Sequence, residues 1–83
     1  MSLFTENVVP GETKVFGTNA KYGYDLEAIK KIILSIDGIK DVILDDSRPT
    51  KEFTITSTKI VPIELIEKEV KKAGFHVVPK GII

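Results

Sequence analysis

The sequence predicts an α+β fold in which a four-stranded antiparallel sheet carries two helices on one face. Three observations predict it. Two stretches, Asp25 to Ile39 and Pro62 to Ala73, repeat aliphatic residues at helical spacing, and a glycine, Gly38 or Gly74, closes each pattern. Short runs rich in β-branched and aromatic residues lie before, between and after these stretches. With 83 residues, 42% of them hydrophobic and 29% charged, the chain has room for one domain and one core.

The first helix is read from Leu26, Ile29, Ile32, Ile33 and Ile36, which fall on one face of a 3.6-residue period, with Glu27, Lys30, Lys31 and Ser35 opposite. Asp25 is placed to cap its first turn, where a carboxylate accepts from free amides and suits the positive end of the helix. Ahead of it, Glu12 to Thr18 reads as a strand with Thr13, Val15 and Gly17 on one face and Lys14 and Phe16 on the other. Asn19 to Tyr24 reads as the connecting loop.

After Gly38, a second strand is predicted over Lys40 to Asp45, then a hairpin loop, Asp46 to Thr50. Lys51 to Ser57 alternates apolar and polar residues and suits an antiparallel strand with Phe53 and Ile55 inward. The second helix has Pro62 in its first turn and Ile63, Ile66, Val70 and Ala73 as its seam. Phe75 to Val78 is the last strand. The domain is bounded at 12–79, with an N-terminal extension at 1–11 and a tail at 80–83. Met1-Ser2-Leu3 reads equally as native sequence or as an appended start. Leu3 to Gly11 is apolar enough that part of it is expected to pack.

Strand, helix, strand, strand, helix, strand is a β-α-β unit repeated, and with right-handed crossovers it gives the ferredoxin-like sandwich, strand order 4-1-3-2. Within that order, the pattern Leu26-x-x-Ile29-x-x-Ile32-Ile33-x-x-Ile36-x-Gly38-Ile39-x-x-Val42 resembles the heavy-metal-associated domain of copper chaperones and metal-transport ATPases. So does Ile66-x-x-x-Val70-x-x-Ala73-Gly74-Phe75-x-Val77, and the resemblance runs from Thr13 to Val78.

That family grips soft metal ions with a Cys-x-x-Cys pair just before the first helix. The resemblance puts Tyr22 and Asp25 at those two positions, and Asn19-Ala20-Lys21 where the family has Gly-Met-Thr. A phenol and a hard carboxylate are poor replacements for thiolates on a soft ion. The expectation is therefore a heavy-metal-associated-like domain without its thiolate site and without a cofactor. It would act as a protein-interaction or dimerisation module.

The chain has no cysteine and one histidine, which excludes disulfides, thiolate metal sites and thiol catalysis. No Ser–His–acid arrangement is visible, so the chain is read as no enzyme. Twelve basic residues balance twelve acidic ones and Arg48 is the only arginine, so no nucleic-acid partner is expected. No apolar run approaches a membrane span, so membrane insertion is not expected and a cytoplasmic location is the default.

The alternative function is weak binding of a divalent, zinc-like metal or a small ligand through Asp25, His76 and Tyr22. Each of these has a plainer role: a helix cap, a solvated sheet histidine and a loop tyrosine packed with Tyr24 over a helix end. Asp45-Asp46 reads as a turn pair. Leu34 and Leu65 fall off the helical seams. By alternation, Phe16, Ile43 and Val78 are expected on the sheet's open face, with Thr54 and His76 among them, and Phe16 beside Val78. Either the terminal segments or a protein partner, including a second copy, would cover this surface.

Overall fold

The computed structural model describes residues 7–45 and 51–80. It contains β1 (Asn7–Val8), β2 (Thr13–Thr18), α1 (Gly23–Leu34), β3 (Ile39–Asp45), β4 (Glu52–Ser57), β5 (Val61–Pro62), α2 (Ile63–Lys71) and β6 (Val77–Lys80). The predicted hairpin loop, with Arg48 and Asp46, lies outside the described residues, as do Met1-Ser2-Leu3 and the Ile82-Ile83 tail.

Four strands form one antiparallel sheet in the order β3-β4-β2-β6, which is the predicted order of the sequence's four strands. Leu26, Ile29 and Ile33 of α1 and Ile63, Ile66 and Val70 of α2 enter one core with Phe16, Val42, Phe53, Ile55 and Val77 of the sheet. The helical periods read from the sequence therefore select the buried faces of both helices. Ala73 differs: α2 ends at Lys71, and Ala73 is exposed in the turn that follows.

Two short strands were not foreseen. Asn7 pairs with Pro62 and Val8 with Val61, antiparallel. Val8 is buried in the common core, and its carbonyl accepts from the Ser57 hydroxyl at 3.4 Å. Of the described part of the N-terminal extension, Val8 packs in the core, whereas Val9, Pro10 and Gly11 are exposed. Pro62 is extended (φ −63°, ψ 133°) and immediately precedes α2, rather than sitting inside its first turn.

The main correction concerns Phe16. It is fully buried and stacks on Phe53 with ring centroids 5.4 Å apart and planes within 7°. Phe16 and Lys14 therefore face the helices, while Thr13, Val15 and Gly17 face outward, the reverse of the predicted phase. The register agrees: Phe16 lies opposite Phe53 and Pro79, whereas Val78 lies opposite Gly17. A side-chain period of two makes a strand's phase all-or-nothing, and burying an aromatic pair outweighs burying Val15 and a glycine. Ile43 and Val78 do lie on the open face, 58% and 61% exposed.

Candidate functional site

The loop before α1 is built from the helix start outward. Tyr22, extended at φ −124° and ψ 156°, takes the cap position, and helical residues begin at Gly23. Asp25 is therefore the third helical residue and not the cap. Its Oδ2 accepts from the amides of Tyr22 at 3.3 Å and Lys21 at 3.4 Å. This is the reach-back half of a capping box, in which an acid one turn in satisfies amides that precede the helix. A carboxylate so occupied already has a structural task.

His76 stands where the sequence puts it, beside this loop, but the contact is made by its main chain. The His76 amide donates to Asn19 Oδ1 at 2.9 Å. Its carbonyl accepts from the Thr18 hydroxyl at 2.8 Å and from the Asn19 amide at 3.4 Å. Asn19 thus continues the β2–β6 pairing by one residue and fastens the loop to the last strand. Among the described residues, no three His, Cys, Asp or Glu side chains come together in a group that could hold a metal ion. Tyr22 and Tyr24 are exposed and stacked on each other, centroids 5.1 Å apart and planes within 8°. Two parallel rings in contact leave no slot between them for a ligand.

The open sheet face is the larger surface. Register places Ile43, Thr54, Val15 and Lys80 in one row across the four strands, and Asp45, Glu52, Gly17 and Val78 in the next. Asp41 and Thr56 lie one row further on. Lys80 leans across Gly17 to pair with Glu52. A Cβ added at Gly17 would stand 3.1 Å from Lys80 Cδ, which shows how closely the lysine stem covers that glycine. Glu52 is largely covered, its side chain 12% exposed.

Ile43 and Val78 therefore lie on opposite edges of the face, on β3 and β6, with two strands and an ion pair between them. The separation of Ile43 from Val78 across the sheet is as expected, but the expected Phe16 neighbour of Val78 is in the core instead, and Val78 lies opposite Gly17. Sequence reasoning missed the Lys80–Glu52 bridge and the Asn19–His76 clasp, because both depend on register between strands far apart in the chain.

Of the other exposed large aliphatic residues among those described, Leu34 and Leu65 lie on the helices, Ile60 in the β4–β5 connection and Val9 just after β1. No helix among the described residues is long and apolar enough to cross a membrane. Comparison with known protein families, curated proteins and solved structures finds no match.

Proposed function

We propose that this chain is a ferredoxin-like, heavy-metal-associated-like domain that works by protein contact rather than by metal transfer, and that its contact surface is the open sheet face. The observation that carries this is the exposure of Ile43 and Val78 on a sheet face that neither helix covers. Fully burying such a side chain is worth roughly 1.5–3 kcal/mol relative to full exposure, and Ile43 and Val78, still 58% and 61% exposed, leave a good part of that for a partner to supply. The stacked Tyr22 and Tyr24 add to the reading. The Asn19–His76 bonds hold their loop next to the β6 edge of that face, and exposed tyrosines are common at interfaces.

The loop itself supports the loss of the thiolate function. Where the resembling family presents two sulfurs, this chain presents a tyrosine stack and a carboxylate committed to the Lys21 and Tyr22 amides. Cys at both 22 and 25 should restore soft-metal binding if those positions correspond. Native mass spectrometry with one equivalent of Cu(I) would then show the metal on the double variant and mostly apo protein for the natural sequence. A tight complex of the natural sequence, lost on Asp25→Ala or His76→Ala, would overturn this reading.

The contact itself is tested in the cells that make the protein, with a photoreactive amino acid replacing Ile43, Val78 or, as control, Leu65 on α2. Discrete cross-linked products from 43 and 78, and none from 65, are expected. Products from 65 alone would move the contact to the helices.

A further inference from the structure

β1 and β5 make a two-stranded sheet of their own, separate from the four-stranded one. β1 therefore adds no rung to the ladder that joins β2, β3, β4 and β6. Among the described residues at this end of the chain, one side chain seats it. Val8 is buried in the core, whereas Asn7 is half-buried and Val9, Pro10, Gly11 and Glu12 are exposed. Of its two pairs, Asn7 with Pro62 and Val8 with Val61, the first faces a proline that has no amide to donate. The Ser57 hydroxyl reaches the Val8 carbonyl at 3.4 Å, the long end of a hydrogen bond.

The seat beneath Val8 is held without β1. Val61 packs on Gly38, where an added Cβ would stand 2.9 Å from its Cγ2. The Thr58 amide donates to the Gly38 carbonyl at 2.7 Å, and Lys59 pairs with Asp37 at 2.9 Å. The β4–β5 connection is thus fastened to the turn after α1, and β5 leads straight into α2.

β1 is joined to β2 by an exposed turn. The Glu12 amide donates to the Val9 carbonyl at 3.1 Å across Pro10 and Gly11. Gly11 has φ +85°, with open space where a Cβ would stand. Proline followed by a positive-φ glycine is the pattern of a type II turn. Nothing packed against Gly11 has to move for this turn to reopen.

We propose that β1 is a strap that detaches by itself, hinged at Pro10-Gly11, while the four-stranded sheet and both helices stay folded. Detachment gives up the burial of one valine and regains the backbone freedom of the residues before the turn, so the two largely offset. An element whose release exposes little apolar surface opens far more often than the whole molecule unfolds. The open state bares Val61 and Ser57, which the closed strap buries.

The chain has no cysteine, so a single introduced thiol reports its own exposure. Ser57→Cys puts that thiol under the strap, and Val70→Cys puts it on the buried face of α2. Both are made in the full chain and treated with a soluble disulfide reagent under native conditions. The Ser57→Cys thiol should react about tenfold or more faster than the Val70→Cys thiol. Low urea should accelerate it much less, because opening the strap exposes little surface. Adding Val8→Ala to Ser57→Cys should raise its rate further, because the anchor of the strap is then cut back. Val61→Cys, which also lies under Val8, takes the place of Ser57→Cys if that variant gives no cooperative melt.

Equal rates with equal urea dependence would mean that β1 leaves only when the whole molecule unfolds, and would overturn the proposal. A fast reaction at 57 that Val8→Ala leaves unchanged would trace the exposure to the end of β4, and overturns it equally.

Discussion

Gly38 and Gly74 follow the two helices and both have positive φ, +99° and +92°, yet they are not equivalent. A Cβ at Gly74 would meet nothing within 4 Å, whereas at Gly38 it would stand 2.9 Å from Val61 Cγ2 and 3.2 Å from Lys59 Cβ. Gly74→Ala should therefore cost only the backbone term, about 1 kcal/mol. Gly38→Ala adds a collision with a buried valine and should cost at least ~1 kcal/mol more, read from urea midpoints. Equal losses would mean that the β4–β5 connection yields freely.

Phe16 makes the same point about position. Phe16→Asp places a carboxylate in the core against Phe53, so the expected outcome is loss of the cooperative thermal transition, not loss of a partner. Asp25→Ala should cost about 0.5–2 kcal/mol, because the Lys21 and Tyr22 amides lose their acceptor.

At the scale of elements, the helices were legible and the strands only partly. α1 and α2 repeat aliphatic residues over several turns, and a period that long fixes a face; Leu26, Ile29, Ile33, Ile63, Ile66 and Val70 all proved buried. β2 reads Thr-Lys-Val-Phe-Gly-Thr, in which two polar residues precede two adjacent apolar ones. Such a strand has no unique alternation. Its phase is set by the aromatic partner on β4, which sequence spacing does not identify.

β1 and β5, at two residues each, are too short to carry any period. Asp25 was expected to cap the first turn's amides, but it sits one turn in and accepts instead from the Lys21 and Tyr22 amides ahead of the helix, and an acid at either place leaves a similar sequence mark. Ile33→Ala should destabilise by about 2–5 kcal/mol, because it opens a cavity where α1 meets the sheet. Deleting residues 1–9 removes Val8 from the core together with the β1–β5 pairing, and should lower the melting temperature. An unchanged melting temperature after that deletion would show that β1 does not close the core.

For the whole molecule, the decisive question is which apolar groups meet water and which meet a partner. Core methyls such as those of Ile55 and Val42 are buried, and those of Ile43, Val78, Ile60 and Leu65 are exposed. Only Ile43 and Val78 belong to the open sheet face. Methyl relaxation by a soluble paramagnetic probe reads which of them meet water. In dilute solution the probe should relax the Ile43, Val78, Ile60 and Leu65 methyls and spare Ile55 and Val42. Protection of Ile43 and Val78, or strong relaxation of Ile55 and Val42, would contradict the account.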